Sequence, residues 1–292
     1  MTTEQIEPVH SQRGALAIVA TPIGNLGDIS ERAIATLAEA DLVAAEDTRH
    51  TGRLLQHLGL SKPLFALHDH NERAQVDNLL DRIQNGQRVA LVSDAGTPLI
   101  SDPGFLVVRR AHERGLRVIP IPGSCAAIAA LSVSGLPTDR FVFEGFLPAK
   151  KAARLARLQA LSTENRTLVF YESPHRLLVS LVAMLEVFGG ERPVMLAREL
   201  TKTFETLYSQ TLASLVTRAQ GDDNVARGEM VIVVGGAPDN VKAETTALET
   251  ERLLMRLLQE LPVKAAVKVV ADLTGEPRNE LYQRALTLND KA

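Results

Sequence analysis

Ala20-Thr-Pro-Ile-Gly-Asn-Leu-Gly-Asp-Ile-Ser30 and Val92-Ser-Asp-Ala-Gly-Thr-Pro-Leu-Ile-Ser-Asp-Pro-Gly104 are two glycine-bearing loops. Each follows an apolar run, Leu16 to Ala20 or Val89 to Val92, and each leads into helical spacing. That places both at the carboxyl ends of strands in an open α/β sheet, where such sheets bind their ligands. Further strand-like runs at Leu42 to Ala45 and Val118 to Ile121 alternate with helical patterns at Glu31 to Glu39, Thr51 to Leu58, Arg73 to Gln84 and Phe105 to Arg114. The first half therefore reads as a parallel α/β unit.

The loops also exclude chemistry. Gly24 and Gly27 do not complete a Gly-x-Gly-x-x-Gly dinucleotide fingerprint, and no Gly-x-x-x-x-Gly-Lys-Ser/Thr phosphate loop is present. The second loop carries Asp94 and Asp102 but no lysine or arginine. Such a loop suits a cationic or hydroxyl-bearing ligand better than a triphosphate.

With 292 residues the chain is long enough for two domains, and 45% hydrophobic with 23% charged residues is ordinary for a globular enzyme. A net charge of -3 gives no global basic field, so nucleic acid would have to be met by a local patch. The single cysteine, Cys125, excludes an internal disulfide and a cysteine-rich zinc site. Met1 to Arg13 is polar, unlike a secretory signal or membrane anchor, and no apolar run is long enough to span a bilayer. A reducing cytoplasm is the expected location.

A helical run from Ser124 to Ser134 is stopped by Gly135-Leu-Pro137, which sets a first domain at 1–136. Strand-like runs at Phe141 to Phe146, Thr167 to Tyr171, Val194 to Ala197, Thr206 to Ser209 and Met230 to Val234 then predict a second domain at 137–238 built on a mixed sheet. Past Gly235-Gly-Ala-Pro238, the runs Thr245 to Leu261, Lys264 to Leu273 and Arg278 to Leu288 predict a small helical module at 239–292.

Several clusters carry candidate chemistry. Glu46, Asp47 and Arg49 stand at the same sheet edge as the glycine loops, although Asp47 or Thr48 also suits a helix N-cap. His68 and His70 share a face if Leu67 to Glu72 is extended; with no clear third ligand except Asp94 or Glu46, polar contact with a substrate is the better reading than metal. Cys125 follows Pro122-Gly-Ser at a helix start, as a candidate nucleophile or as a small core residue. Glu172, His175, Arg176, Arg198, Glu199 and Lys202 follow two apolar strands of the second half and point to a cleft shared between domains. Lys150, Lys151, Arg154 and Arg157 form the most basic run, suited to a phosphate backbone or to a solvated helix face.

Together the blocks Thr21 to Leu26, Ala45 to Gly52, Leu67 to Glu72, Val92 to Pro98, Phe170 to Ser173 and Ala197 to Lys202 closely resemble the ribosomal RNA small subunit methyltransferase I proteins of the tetrapyrrole methylase superfamily, from about Leu16 to Leu288. The resemblance implies a two-domain tetrapyrrole methylase-like (class III methyltransferase) α/β fold with a small C-terminal helical module. It implies a homodimer that uses S-adenosylmethionine to methylate the ribose 2′-hydroxyl of a cytidine in the decoding region of 16S rRNA, in the small ribosomal subunit. Carried onto this chain, it places the cofactor against Ser93, Asp94, Ala95, Gly96, Leu99, Ser124, Cys125, Tyr171 and Met230. Under that reading Asp47, Glu172, Glu199 and Lys202 are catalytic candidates; Glu172 or Asp47 is the expected general base from its strand-end position, with Glu46, His68 and Glu199 as the other base candidates. RNA would meet Arg49, His68, His70, Asn71, Lys150, Lys151, Arg154 and Arg198, and no metal is expected. The run Val263 to Tyr282 resembles a helix-turn-helix that offers Lys264, Lys268, Arg278 and Tyr282 to RNA. Two other readings share these features: a methylase of a small tetrapyrrole-like molecule, and a non-catalytic rRNA-binding assembly factor.

Overall fold

The computed structural model describes residues 14–68, 70–238 and 250–289; the polar start Met1 to Arg13, Asp69 in the histidine block and the first part of the predicted helix at Thr245 lie outside the described residues. The first half forms a five-stranded, all-parallel sheet in the order β3-β2-β4-β1-β5. Its strands are β1 (Ala15–Val19), β2 (Leu42–Ala45), β3 (Leu64–Ala66), β4 (Arg88–Val92) and β5 (Arg117–Ile121).

Alternation along the strands sends side chains to two separate cores. Leu16, Leu42, Ala44, Val89 and Leu91 pack under helices α3 (Glu72–Gln84) and α4 (Phe105–Glu113). Ala17, Val19, Val43, Ala45, Ala90 and Val92 pack under α1 (Glu31–Glu39) and α2 (Thr48–His57). Ser30 caps α1 by accepting from the Ala33 N–H at 3.1 Å, a cap of the kind that contributes about 1 kcal/mol. Gly104 leaves α4 without a side-chain cap of its own, and Glu72 supplies one from α3, accepting from the N–H groups of Leu106 (3.0 Å) and Val107 (3.3 Å). The last residue of the histidine block is thus a structural acid.

The second sheet has the order β6-β7-β10-β8-β9, from β6 (Phe141–Phe146), β7 (Thr167–Glu172), β8 (Pro193–Arg198), β9 (Thr206–Thr211) and β10 (Met230–Val234). Only β6 and β7 pair in parallel; the other pairs are antiparallel, which matches the expected mixed sheet. One face is covered by α6 (Lys151–Ala160), α7 (Leu177–Phe188) and α8 (Leu212–Gly221). The opposite face, with Val169, Met195, Ala197, Val231 and Val233, receives Ala127, Ala130 and Leu131 of α5 (Ala126–Val133).

That packing corrects the boundary drawn from sequence at residue 136. Helix α5 precedes the Gly135-Leu-Pro137 breaker, yet it buries its side chains on the second sheet, so the chain crosses between domains after β5. Breakers mark where a helix ends, not which core it joins.

The C-terminal helices form their own core. A helix described over residues 250–258 (α9), α10 (Val263–Thr274) and α11 (Arg278–Asn289) pack through Leu254, Ala266, Val270, Leu281 and Ala285. Gly275 turns the chain between α10 and α11 at φ 75, a left-handed conformation that glycine adopts without steric cost. No described helix is long and apolar enough to cross a membrane.

Candidate active site

The two glycine loops meet. The Thr21 N–H donates to the Gly96 carbonyl at 2.9 Å, and the Gly96 N–H donates back to the Thr21 carbonyl at 3.1 Å. Gly96 has φ +81, and a Cβ there would lie 3.2 Å from Ile23 Cγ2. Around this bridge the domains enclose a cavity of about 310 Å³, inside the size range of small-molecule sites. Its floor comes from Ala95, Gly96, Thr97 and Ile100, and its far wall from Phe146, Tyr171, Ala197, Leu200 and Val231.

Register explains which residues reach it. On β7, Tyr171 lies on the α5 face, where its hydroxyl accepts from the Ala127 N–H at 3.2 Å. The rings of Phe143 and Phe146 pack edge to face with it, their centroids 5.0 and 5.7 Å away. Burial pushes the phenol pKa above its ordinary value, so the hydroxyl stays protonated. Glu172, one residue on, turns to the opposite face: it is 3% exposed, accepts from Ser180 Oγ on α7 and from its neighbour Ser173 N–H (2.9 Å), and lies 3.6 Å from Arg176. Its backbone borders the cavity while its carboxylate is committed to the core side.

Among the described residues four that are not glycine have positive φ, and all stand in the two loops that face each other here: Leu99 (73), Ser101 (69), Glu199 (52) and Thr201 (64). Strained backbone of this sort persists where surroundings over-determine it, commonly at binding sites. Thr201 accepts from the Asn25 N–H at 3.2 Å across the domains, and the stem of Lys202 lies over Gly24, where a Cβ would come within 2.4 Å of its Cγ. The Lys202 ammonium sits 3.0 Å from Glu199 and 3.1 Å from Glu229. Burial alone would lower its pKa, but the two carboxylates outweigh burial and hold it above the usual lysine value. Burial likewise raises Glu199, and the Glu229 N–H (2.8 Å) with Lys202 more than reverses that. The pair is ionised, and Lys202 is a fixed positive charge.

A second recess, also about 310 Å³, opens beside the first and is lined by Gly24, Leu26, Asp94, Lys202 and the outer edge of α2. Ile23, Ala95 and Glu229 line both.

The other sequence candidates are distributed unevenly. Of the nine cofactor candidates, Ala95, Gly96, Tyr171 and Met230 line the first cavity and Asp94 the second; Met230 shows it only an edge, being 4% exposed within the α7-side core. Ser93 is buried, donating to the Ala95 carbonyl at 3.3 Å, while Leu99 packs with the first core and the Ser124 carbonyl accepts from Thr97 Oγ1 at 2.9 Å. Cys125 is half-buried and occupies the N-cap position of α5. These residues shape the loops from behind.

Asp47 is the N-cap of α2, and its hydrogen bonds with the Arg49 guanidinium hold its pKa down to about 2. Arg49 is therefore already paired, at 3.0 Å. Arg198 donates to the carbonyls of Arg227 and Phe204 and to Thr206 Oγ1. Lys150 and Lys151 are exposed at the start of α6. Arg154 does not reach the surface: it is 6% exposed and donates to the carbonyls of Pro148 and Ala149, closing the loop before its own helix. An amphipathic spacing placed it on the inner face of α6, where a phosphate cannot follow.

The histidine block is not extended. Asn71 accepts from the His68 N–H (2.9 Å) and donates to the Ala66 carbonyl (3.0 Å), and the two rings stand edge to face with centroids 6.0 Å apart. Among the described residues no group of three or more histidine, cysteine or acidic side chains is arranged to hold a metal.

Sequence reasoning passed over Phe146, Leu200 and Glu229. The first two are single apolar residues at strand or loop ends, without a motif. Glu229 precedes an apolar strand and is recognisable only once Lys202 is placed beside it.

An all-parallel sheet and a mixed sheet meeting over a polar-rimmed cleft define the tetrapyrrole methylase class of α/β methyltransferase. The model of the family Tetrapyrrole (Corrin/Porphyrin) Methylases matches residues 15–216, and that of the RsmI C-terminal HTH domain matches residues 244–289. The same fold occurs in uroporphyrin-III-C-methyltransferase from Thermus thermophilus (TM-score 0.56, 22% identity, 77% of this chain and 96% of that one). It also occurs in that enzyme complexed with S-adenyl homocysteine (TM-score 0.53, 18% identity, 76% and 97%). Ribosomal RNA small subunit methyltransferase I of Pseudomonas aeruginosa is 57% identical over 279 residues, 96% of this chain and 99% of the relative; that of Haemophilus influenzae is 51% identical, covering 95% and 98%. The chain belongs to the ribosomal RNA small subunit methyltransferase I family.

Proposed function

We propose that this protein methylates the ribose 2′-hydroxyl of a cytidine in the decoding region of 16S rRNA, using S-adenosylmethionine bound in the interdomain cavity. The observation that carries this reading is the junction of two cavities at Ile23, Ala95 and Glu229, with the Lys202 ammonium beside it. One cavity is apolar-walled, with backbone amides and carbonyls from the Gly96 loop, and its donor set fits an adenosyl group and an amino acid. Bulk at Gly96 fills it. In G96V the β-branched side chain would also be forced to positive φ. Cofactor affinity measured by calorimetry should fall at least about 100-fold, about 2.7 kcal/mol, whereas the backbone strain is shared by free and bound protein and lowers stability instead.

S-adenosylmethionine, when bound, supplies a methyl group on a positively charged sulfur. The protein must hold the acceptor oxygen in line with that methyl and keep water out. Forming the new C–O bond breaks the C–S bond and releases the hydroxyl proton. Lys202 is placed to stabilise the oxygen as negative charge develops on it, and the Glu229 carboxylate, which lines both cavities, receives the proton. Asp47 and Glu172 act by fixing the strand ends on which these groups depend, and Glu199 fixes Lys202.

Action as a homodimer in the cytoplasm is part of the same reading. Helix α7, Leu-Leu-Val-Ser-Leu-Val-Ala-Met-Leu-Glu-Val-Phe, is apolar nearly all round, yet Leu178, Val179 and Val182 are exposed. A helix of that composition is normally covered on every side. Sedimentation equilibrium should give twice the 31.7 kDa chain mass; a single-chain mass at micromolar concentration would remove the dimer from the proposal.

The decisive assay incubates the protein with labelled S-adenosylmethionine and small ribosomal subunits from cells lacking the gene, then identifies the labelled nucleoside. Label in 2′-O-methylcytidine is expected. Label on a base, or transfer only to a small tetrapyrrole, would overturn the reading.

A further inference from the structure

Helix α2 has a second face that the fold does not use. Thr51 and Leu55 are buried against the first sheet, whereas His50, Arg53, Leu54 and His57, at i, i+3, i+4 and i+7, form the adjoining stripe and line the second recess. Among the described residues the side chains of His50, Arg53 and His57 have no hydrogen-bond or ion-pair partner, while Arg49 on the same helix is held by Asp47. The acids nearby are engaged: Asp94 accepts from the Asp47 N–H at 3.0 Å, and Glu229 is tied to Lys202. The recess thus presents one uncommitted guanidinium and two imidazoles, all on a rigid helix.

From this we infer that the stripe His50, Arg53 and His57 seats the phosphodiester of the acceptor strand, one nucleotide at a time, and so delivers the ribose to the shared rim at Ala95. The inference rests on the rRNA reading given above. A chain of net charge -3 has no general attraction for RNA, so the strand must be held by local donors of this kind. Three residues over two helical turns span about 10 Å, enough for one phosphoribosyl unit and its flanking phosphate. A planar guanidinium can bind a phosphate through two parallel hydrogen bonds. Arg53, and not the paired Arg49, is then the arginine of this helix that reads the strand.

The test compares wild type, R53A, H57A and the double variant with small ribosomal subunits as substrate and with S-adenosylmethionine alone. The side chains of His50, Arg53 and His57 are all exposed, so folding is not at stake, and Q56A on the solvent side of the same helix serves as control. KM for the subunits should rise about tenfold in R53A and further in the double variant, the usual consequence of removing charge-assisted hydrogen bonds. The dependence of log KM on log salt should become shallower by about 0.7 for each phosphate that is no longer neutralised. Cofactor affinity should stay within about twofold, and R53K should recover part of the loss. An unchanged KM in the double variant, with wild type methylating the subunits normally, would overturn this inference alone. A parallel loss of cofactor affinity would also overturn it, by assigning the recess to the cofactor. Wild type that labels no rRNA would overturn the rRNA reading itself.

Discussion

Replacing Lys202 with methionine should lower kcat by about 100- to 1,000-fold, the effect of removing one preorganised stabiliser of a developing oxyanion, about 2.7–4 kcal/mol. Methionine keeps an apolar stem over Gly24, so the domain contact survives and only the ammonium is removed. Cofactor affinity should then change by less than about threefold, since Lys202 lines the second recess and not the apolar cavity. Because the ammonium also partners Glu199, a purely structural role must be separated from a chemical one. E199Q supplies that control: it leaves the charge on Lys202 and breaks only its anchor, so kcat should fall far less than in K202M. In E229Q the proposed proton acceptor is gone while Lys202 remains, and kcat should fall. Single-turnover rates with saturating subunits and cofactor make the measurement. A K202M enzyme with wild-type kcat would exclude the oxyanion role, and a loss of cofactor affinity equal to the loss in rate would reassign Lys202 to holding the domains together.

Much of the scaffold could be read from periodicity, because its strands are buried on both faces and read as short apolar runs between turn residues. Val89 to Val92 and Met230 to Val234 are of that kind, and the two glycine loops follow from their positions at strand ends. Strand β3 escaped because Leu64–Ala66 is three residues long and only partly buried, leaving no pattern to detect. The ownership of α5 escaped for a different reason. Its sequence is almost wholly apolar, so it would fit either core, and only the three-dimensional path assigns it to the second sheet. At the site, residues whose backbone makes the ligand surface were legible as loops, whereas charged side chains were legible only as groups. Arg49 and Arg53 look equally available in sequence; the Asp47 cap takes one and leaves the other. Glu229 has no motif at all, and its importance arises from a lysine 27 positions earlier in the chain that folds beside it. His50 and His57, by contrast, share a helical stripe that the spacing alone would have revealed.

The pleat of β7 separates Tyr171 from Glu172, and the same logic predicts opposite phenotypes for two substitutions of the acid. Glu172 is a buried acceptor for Ser180 and the Ser173 N–H and lies beside Arg176, which donates to the Leu147 carbonyl. E172A leaves the fully buried Ser180 hydroxyl and the part-buried Ser173 amide without their acceptor, and it leaves a cavity. Removing one partner of such a group costs about 3 kcal/mol, and for a domain of roughly this size the midpoint of thermal unfolding should fall by about 6–10 °C. In E172Q the amide oxygen keeps the Ser173 N–H, the amide nitrogen donates to Ser180 Oγ, whose hydroxyl turns to accept, and the volume is kept, so the midpoint should move by no more than about 3 °C. Were Glu172 the general base, the amide would be the damaging change, since it cannot take a proton, and kcat would fall about 100-fold with stability unchanged. Geometry predicts the reverse: kcat of E172Q within about threefold of wild type, and a destabilised E172A that is active at low temperature. Measuring both kcat and the unfolding midpoint for the two variants therefore decides whether the acid at the end of β7 moves a proton or holds the strand end that carries Tyr171 into the cleft.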